Sequence, residues 1–249
     1  MNRPASKTPT EFNEDQQLQE EIELLVQRIQ DPDPTIQGNA LGLLRKTIRG
    51  STSTVASIPK TTKFLRPHLD ALKAFHASQP RSELSQQLAD ILSVLVVTCG
   101  EKGESLRFKQ QGHIDDLGAW GHEYARNLTS EVVDSWQAHG PELTEIAQKL
   151  VEFHINHNAE QDAVDFCVET NNLEMLERVS DQARFEKLFI YATSCAAYYP
   201  EPQDKYIYSF LLRVALRQNR DADAIRLMIK TKNYSGLAPL IANRKGDPA

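Results

Sequence analysis

The residues best suited by type to do chemistry sit in two histidine-bearing stretches. His122-Glu123 opens like a zinc-protease helix, in which two histidines one turn apart hold the metal and the glutamate serves as base. Arg126 stands where the second histidine should be, so the ligand set is one short. Glu123 and Arg126, three residues apart, instead suit a solvated ion pair on one helix face. His154 and His157, with Glu160 beyond, have a spacing loosely compatible with a metal. Asn158-Ala159 breaks the helix between His157 and Glu160, however, and no cysteine or further histidine lies near in sequence. Side chains of this kind at a helix end more often satisfy its free backbone groups.

Other chemistries find less support. Gly100-Glu101-Lys102-Gly103-Glu104-Ser105 contains the residue types of a phosphate cradle but lacks its spacing and any preceding strand. No Gly-x-Ser-x-Gly elbow is present, and none of Cys99, Cys167 and Cys195 has an activating histidine close in sequence. Each cysteine sits among apolar helical residues, where it behaves as a small hydrophobe. Three scattered thiols suit a reducing compartment better than a disulfide framework. Net charge is −6, and basic residues are spread along the chain, which excludes a nucleic-acid stripe. The longest apolar stretch, Ile91 to Val97, is too short to span a bilayer, and the polar N-terminus is no secretory signal. We therefore expect a soluble, intracellular protein with no catalytic residues, no cofactor and no metal.

The elements that must position these residues are helices throughout. Residues 1–12 read as a disordered tail, followed by a helix from Glu14 to Gln30, capped by Asn13 and carrying Leu18, Ile22, Leu25 and Ile29 on one side. Asp33 and Pro34 start the next helix, with Ile36, Ala40, Leu43, Leu44 and Ile48 facing inward up to Gly50. A Ser/Thr-rich connector, Ser51 to Lys63, leads to helices over Phe64–Ala77 and Ser82–Cys99. One long helix then covers Ile114 to Trp136, with Ile114, Leu117, Tyr124, Leu128, Val132 and Trp136 in its apolar stripe. Trp120 lies at the stripe's edge and is the better candidate for a neighbouring helix or a partner. Gly140-Pro141 stops and restarts the chain, giving a helix over Glu142–His157.

The second half contains an internal echo. Asp162-Ala163-Val164-Asp165-Phe166-Cys167 through Thr170-Asn171-Asn172 aligns with Asp223-Ala224-Ile225-Arg226-Leu227-Met228 through Thr231-Lys232-Asn233. Each copy reads as helix, Thr-x-Asn turn, next helix. One helix pair cannot bury its own apolar face, so such pairs must stack. The expected fold is an all-α helical-repeat solenoid, with a first helical region over 13–137 and a helical-repeat region over 138–249. Leu237 and Leu240, with Leu227 and Ile241, are candidate partner contacts in the last unit.

Five segments carry a family resemblance. Phe64-Leu65-Arg66-Pro67-His68, Ala89-Asp90-Ile91-Leu92-Ser93-Val94-Leu95, Trp120-Gly121-His122-Glu123-Tyr124-Ala125-Arg126, His157-Asn158-Ala159-Glu160 and Thr193-Ser194-Cys195 with Tyr199-Pro200-Glu201-Pro202 follow one another in register. Together they resemble the N-terminal region of the larger scaffold subunits of the proteasome base, the non-ATPase regulatory subunit 2 family. The resemblance runs from about Glu14 to about Lys230. It implies a non-enzymatic scaffold that supports ubiquitin-dependent degradation. It also implies contacts with the ATPase-ring subunits and other base subunits, in cytoplasm and nucleus. Family members continue into a ring of small-residue repeats implied to receive ubiquitin and shuttle proteins. That ring has no counterpart before Ala249, so those roles are not carried over and the chain reads as a fragment or truncation. The alternatives are a helical-repeat adaptor of another assembly and a metal-dependent helical hydrolase using His122, His154 or His157.

Overall fold

The computed structural model describes residues 9–51, 60–179 and 182–244; residues 1–8 of the expected tail over 1–12, most of the Ser/Thr-rich connector and residues 245–249 lie outside them. The last four residues of that tail are helical instead, as the start of the first helix. All described regular structure is helical, with sequential helices packed pairwise, as a helical-repeat solenoid requires. The chain falls into two compact units that divide between Ser135 and Trp136.

The first unit begins with α1 (Pro9–Ile29), α2 (Pro34–Ser51) and α3 (Lys60–Leu65). Helix α1 starts at Pro9, so Asn13 lies inside the helix rather than capping it. Asp33 does cap α2, its Oδ1 accepting the Thr35 N–H at 2.8 Å. The buried face of α2 is Gln37, Ala40, Leu41, Leu44 and Ile48, whereas Ile36 and Leu43 point to solvent. Ala40, Leu44 and Ile48 face inward as expected, but the buried arc is turned so that Gln37 and Leu41 stand in it in place of Ile36 and Leu43.

Pro67 closes α3 into a short 3-10 turn, Arg66–His68, before α4 (Leu69–Ser78). Ser82 then caps α5 (Glu83–Cys99) by accepting the Ser85 N–H at 3.2 Å. Every residue from Leu88 to Val96 is buried, which makes α5 the central helix of this unit; it packs on α2, α4 and α6 (Glu104–Lys109).

The long helix expected from Ile114 is not continuous. Ile114–Trp120 is a 3-10 segment, Gly121 takes a left-handed φ of 91°, and α7 (His122–Asn156) begins afterwards. That backbone suits glycine and interrupts the 3.6-residue period assumed across it. Helix α7 bends where Gly140-Pro141 was expected to break the chain: His139 has non-helical angles, and the helix resumes through Pro141.

In the second unit, the latter part of α7 is followed by α8 (Glu160–Glu169), α9 (Glu174–Val179), α10 (Gln182–Ala196), α11 (Gln203–Arg217), α12 (Asp221–Lys230) and α13 (Tyr234–Arg244). The internal echo is exact in its backbone hydrogen bonds at helix ends. Helices α7, α8, α11 and α12 are each followed by a residue at positive φ: Asn158, Asn171, Asn219 and Lys232. The next N–H in each case reaches back to close the helix: Ala159 to His154 O, Asn172 to Cys167 O, Arg220 to Ala215 O and Asn233 to Met228 O, at 2.8–2.9 Å. This is the Schellman closure, built on asparagine or lysine where glycine is usual. The two threonines of the Thr-x-Asn turns repeat a side-chain bond as well, Thr170 to Phe166 O and Thr231 to Leu227 O.

Candidate functional site

A buried polar network holds the first unit together around α5. Asp90 and Lys109 are both fully buried, with Nζ 2.8 Å from Oδ1. The His113 N–H also donates to Oδ1 at 3.0 Å, and the His113 ring places Nδ1 2.8 Å from Oδ2. Desolvation pushes the Lys109 ammonium below its ordinary pKa, and the Asp90 carboxylate opposes that shift. Gly112 belongs to the same arrangement, because a Cβ there would run into the Asp90 carboxylate. One turn along α5, Ser93 Oγ donates to Ser105 O at 2.7 Å and Ser105 Oγ returns a bond to Ser93 O at 2.9 Å. The Tyr124 hydroxyl reaches Ser93 Oγ at 2.8 Å, so α5, α6 and α7 share one bonded cluster. Burial raises the Tyr124 pKa and keeps its phenol neutral. Buried Glu131 completes it by accepting the Leu106 N–H at 2.7 Å, in the first turn of α6.

Carboxylate, amine and imidazole together suggest proton transfer, but a substrate has no access to the fully buried Asp90 and Lys109. What this network does is fix helices. Sequence reasoning passed over Asp90, Lys109 and His113. The available signal was Asp90 and Ser93 set inside the apolar run of α5, since a polar residue in such a run must find a buried partner.

Trp120 is also a core residue. Its ring is 2% exposed and lies beneath two arginines one turn apart on α2, with Arg45 and Arg49 Cζ 5.5 and 5.0 Å from its centroid. The expectation of Trp120 as a partner contact is therefore corrected: it serves a neighbouring helix, because the left-handed turn at Gly121 separates it from the stripe of α7. Tyr124, Leu128 and Val132 are buried as that stripe requires, while Trp136 is half-buried and lies against Gly140. Leu237 and Leu240 are half-buried on α13 beside exposed Tyr234 and Ile241, whereas Leu227 is buried and unavailable to a partner.

The histidines singled out by type are not brought together. His122 is exposed, and Glu123 pairs with Arg126 at 3.8 Å on the solvent face. His154 is buried, with Nδ1 3.9 Å from Asp162. His157 places Nδ1 2.8 Å from the Phe153 carbonyl, at the helix end. Glu160 pairs with Lys187 at 3.2 Å. Among the described residues, no group of three or more His, Cys, Asp or Glu is placed to hold a metal. Cys167 is buried, which raises its thiol pKa and disfavours the nucleophilic thiolate. No described helix is long and apolar enough to cross a membrane.

The family model for the RPN1 N-terminal domain matches residues 22–245. The chain belongs to that family. The Arabidopsis thaliana protein named 26S proteasome non-ATPase regulatory subunit 2 homolog A is 40% identical over 231 residues, covering 89% of this chain and 26% of its own length. The Schizosaccharomyces pombe 26S proteasome regulatory subunit rpn1 is 40% identical over 199 residues, 77% of this chain and 22% of its own. A Dictyostelium discoideum 26S proteasome non-ATPase regulatory subunit 2 is 31% identical over 242 residues, 93% and 27% respectively. The chain thus spans about a quarter of the length of the curated relatives it matches. All three are named as regulatory subunits of the 26S proteasome, and the Arabidopsis and Dictyostelium names add non-ATPase.

Proposed function

We propose that this RPN1 N-terminal domain is a non-catalytic scaffold region of the proteasome base, holding to the ATPase ring and neighbouring base subunits in cytoplasm and nucleus. It supports ubiquitin-dependent degradation through these contacts, and reception of ubiquitin or shuttle proteins is not assigned to it. The observation that carries the reading is the family match over residues 22–245, from the first helix to the last. The geometry agrees with it, because the most reactive residue types are spent on fixing helices, as Asp90, Lys109 and Ser93 illustrate. Stacked helix pairs present an extended surface, and affinity on such a surface comes from a few anchors.

A chimera tests this. The matching region of the fission-yeast relative is replaced by this chain, and the assembled particles are isolated. The expected outcome is a chimera incorporated into intact regulatory particles with peptide turnover at the core unchanged. A folded, expressed chimera that is left out of the particles would overturn the reading.

A further inference from the structure

Within the first unit, α4, the start of α5 and α6 enclose an open groove of about 650 Å³. That size falls within the range of roughly 300–1,000 Å³ that holds a peptide side-chain cluster or small ligand. Its floor is apolar and fixed: Phe108 is buried, and the His76 ring meets it edge-on at a centroid distance of 5.7 Å. Buried Ser85 braces that ring, with Oγ 3.4 Å from Nε2. The walls are cationic, formed by Lys73, Arg81 and Arg107. No carboxylate lines the groove among the described residues, although the chain as a whole carries net charge −6. Glu104 stands outside the lining and holds two of the three cations, Lys73 at 2.6 Å and Arg107 at 2.9 Å. One carboxylate therefore orders two cations while leaving the local charge positive, and Arg81 is exposed beside them.

We propose that this groove docks an acidic segment of a partner protein, with an apolar side chain seated toward Phe108 and flanking carboxylates on Arg81, Arg107 and Lys73. Charge complementarity selects the occupant. Guanidinium groups pair carboxylates with two parallel N–H donors, and a pre-ordered guanidinium loses little freedom in doing so. The apolar floor separates this occupant from a free phosphate, which would gain nothing from Phe108. Only three cations line the groove, and Glu104 already engages two of them, which leaves little for a nucleic-acid backbone to neutralise. The groove gives the scaffold reading above a surface, and rests on that reading for its partner being a protein. The binding test involves no proteasome component, so either can fail alone.

The probe is a short fluorescein-labelled peptide of Asp and Glu residues flanking one Phe, followed by fluorescence anisotropy with the whole chain. Saturable binding that weakens with salt is expected, and a matched Asn/Gln peptide should not bind. Arg81→Glu, an exposed change, should weaken binding by about tenfold or more. Ala77→Trp fills the groove from an exposed helical position without altering charge, and should weaken binding as much while the thermal melt stays unchanged. Lys102→Glu, at a cation that pairs with Asp134 and does not line the groove, should leave binding as it was. Absence of saturable binding to folded protein, a groove variant that binds as tightly as the unaltered chain, or equal binding of the neutral peptide would overturn the proposal. So would complete displacement by millimolar inorganic phosphate, or tighter binding of a single-stranded oligonucleotide.

Discussion

Asp90 and Lys109 illustrate how a charged pair is tolerated at zero exposure: the carboxylate accepts from the ammonium, from a backbone N–H and faces a histidine ring, so its oxygens are satisfied. Removing one partner strands the other. Asp90→Ala should cost about 3–5 kcal/mol in chemical denaturation, because a buried ammonium loses its counter-charge. Asp90→Ala combined with Lys109→Met should recover most of that loss, since the double change buries no charge. Equal destabilisation in single and double variants would mean that the pair is not the source of the effect. Tyr206 offers a test by titration. Its hydroxyl donates to Glu174 at 2.8 Å and accepts the Leu173 N–H at 3.0 Å, tying α11 to the start of α9. Desolvation, aided by the Glu174 carboxylate, pushes its pKa up to about 12. An unfolded tyrosine titrates near 10, so the contribution of Tyr206 to stability is whole below about pH 10 and is lost as pH rises toward 12. The tyrosinate absorbance of the native protein minus that of Tyr206→Phe should show one group titrating near 12. A difference titrating near 10 would contradict the assigned contacts.

At the scale of elements, the four Schellman closures make a specific claim about which residues are strained. Asparagine tolerates positive φ through its short polar side chain, and lysine does not. Lys232, at φ 57°, should therefore gain from glycine. Lys232→Gly is expected to raise stability by about 0.5–1 kcal/mol, measured by urea denaturation. A loss of stability would show that the Lys232 side chain contributes more than its backbone costs. The end of the second unit carries another expectation. Ile229, Tyr234 and Ile241 are exposed on α12 and α13, next to half-buried Leu237 and Leu240. Such an apolar surface favours self-association at high concentration. Sedimentation should show a concentration-dependent mass that falls when Leu237 and Leu240 are changed to lysine, and a strictly monomeric species would contradict this.

Helix content was legible because apolar spacing, Asp33, Ser82 and the Thr-x-Asn turns all act locally. What was not legible depends on tertiary partners. The left-handed φ of Gly121 gives no signal beyond glycine itself, so Trp120 was assigned to the wrong register. The outward turn of Ile36 and Leu43 was decided by what α2 packs against rather than by its own sequence. The groove of Lys73, Arg81 and Arg107 joins three helices, and no window of the sequence holds it.

At the scale of the whole molecule, the two units share one construction: buried polar bonds and helix caps fix helix pairs, and chemistry-bearing side chains face inward or pair on the surface. That construction, with membership in the RPN1 N-terminal domain family, makes binding to other subunits the central claim. The most direct measurement is native mass spectrometry of the purified chain mixed with purified proteasomal ATPase subunits. A complex of defined stoichiometry that survives dilution, and contains the chain bound to ATPase subunits, is the predicted result. A chain that is folded by circular dichroism, yet is found only as itself at every mixing ratio, would contradict it.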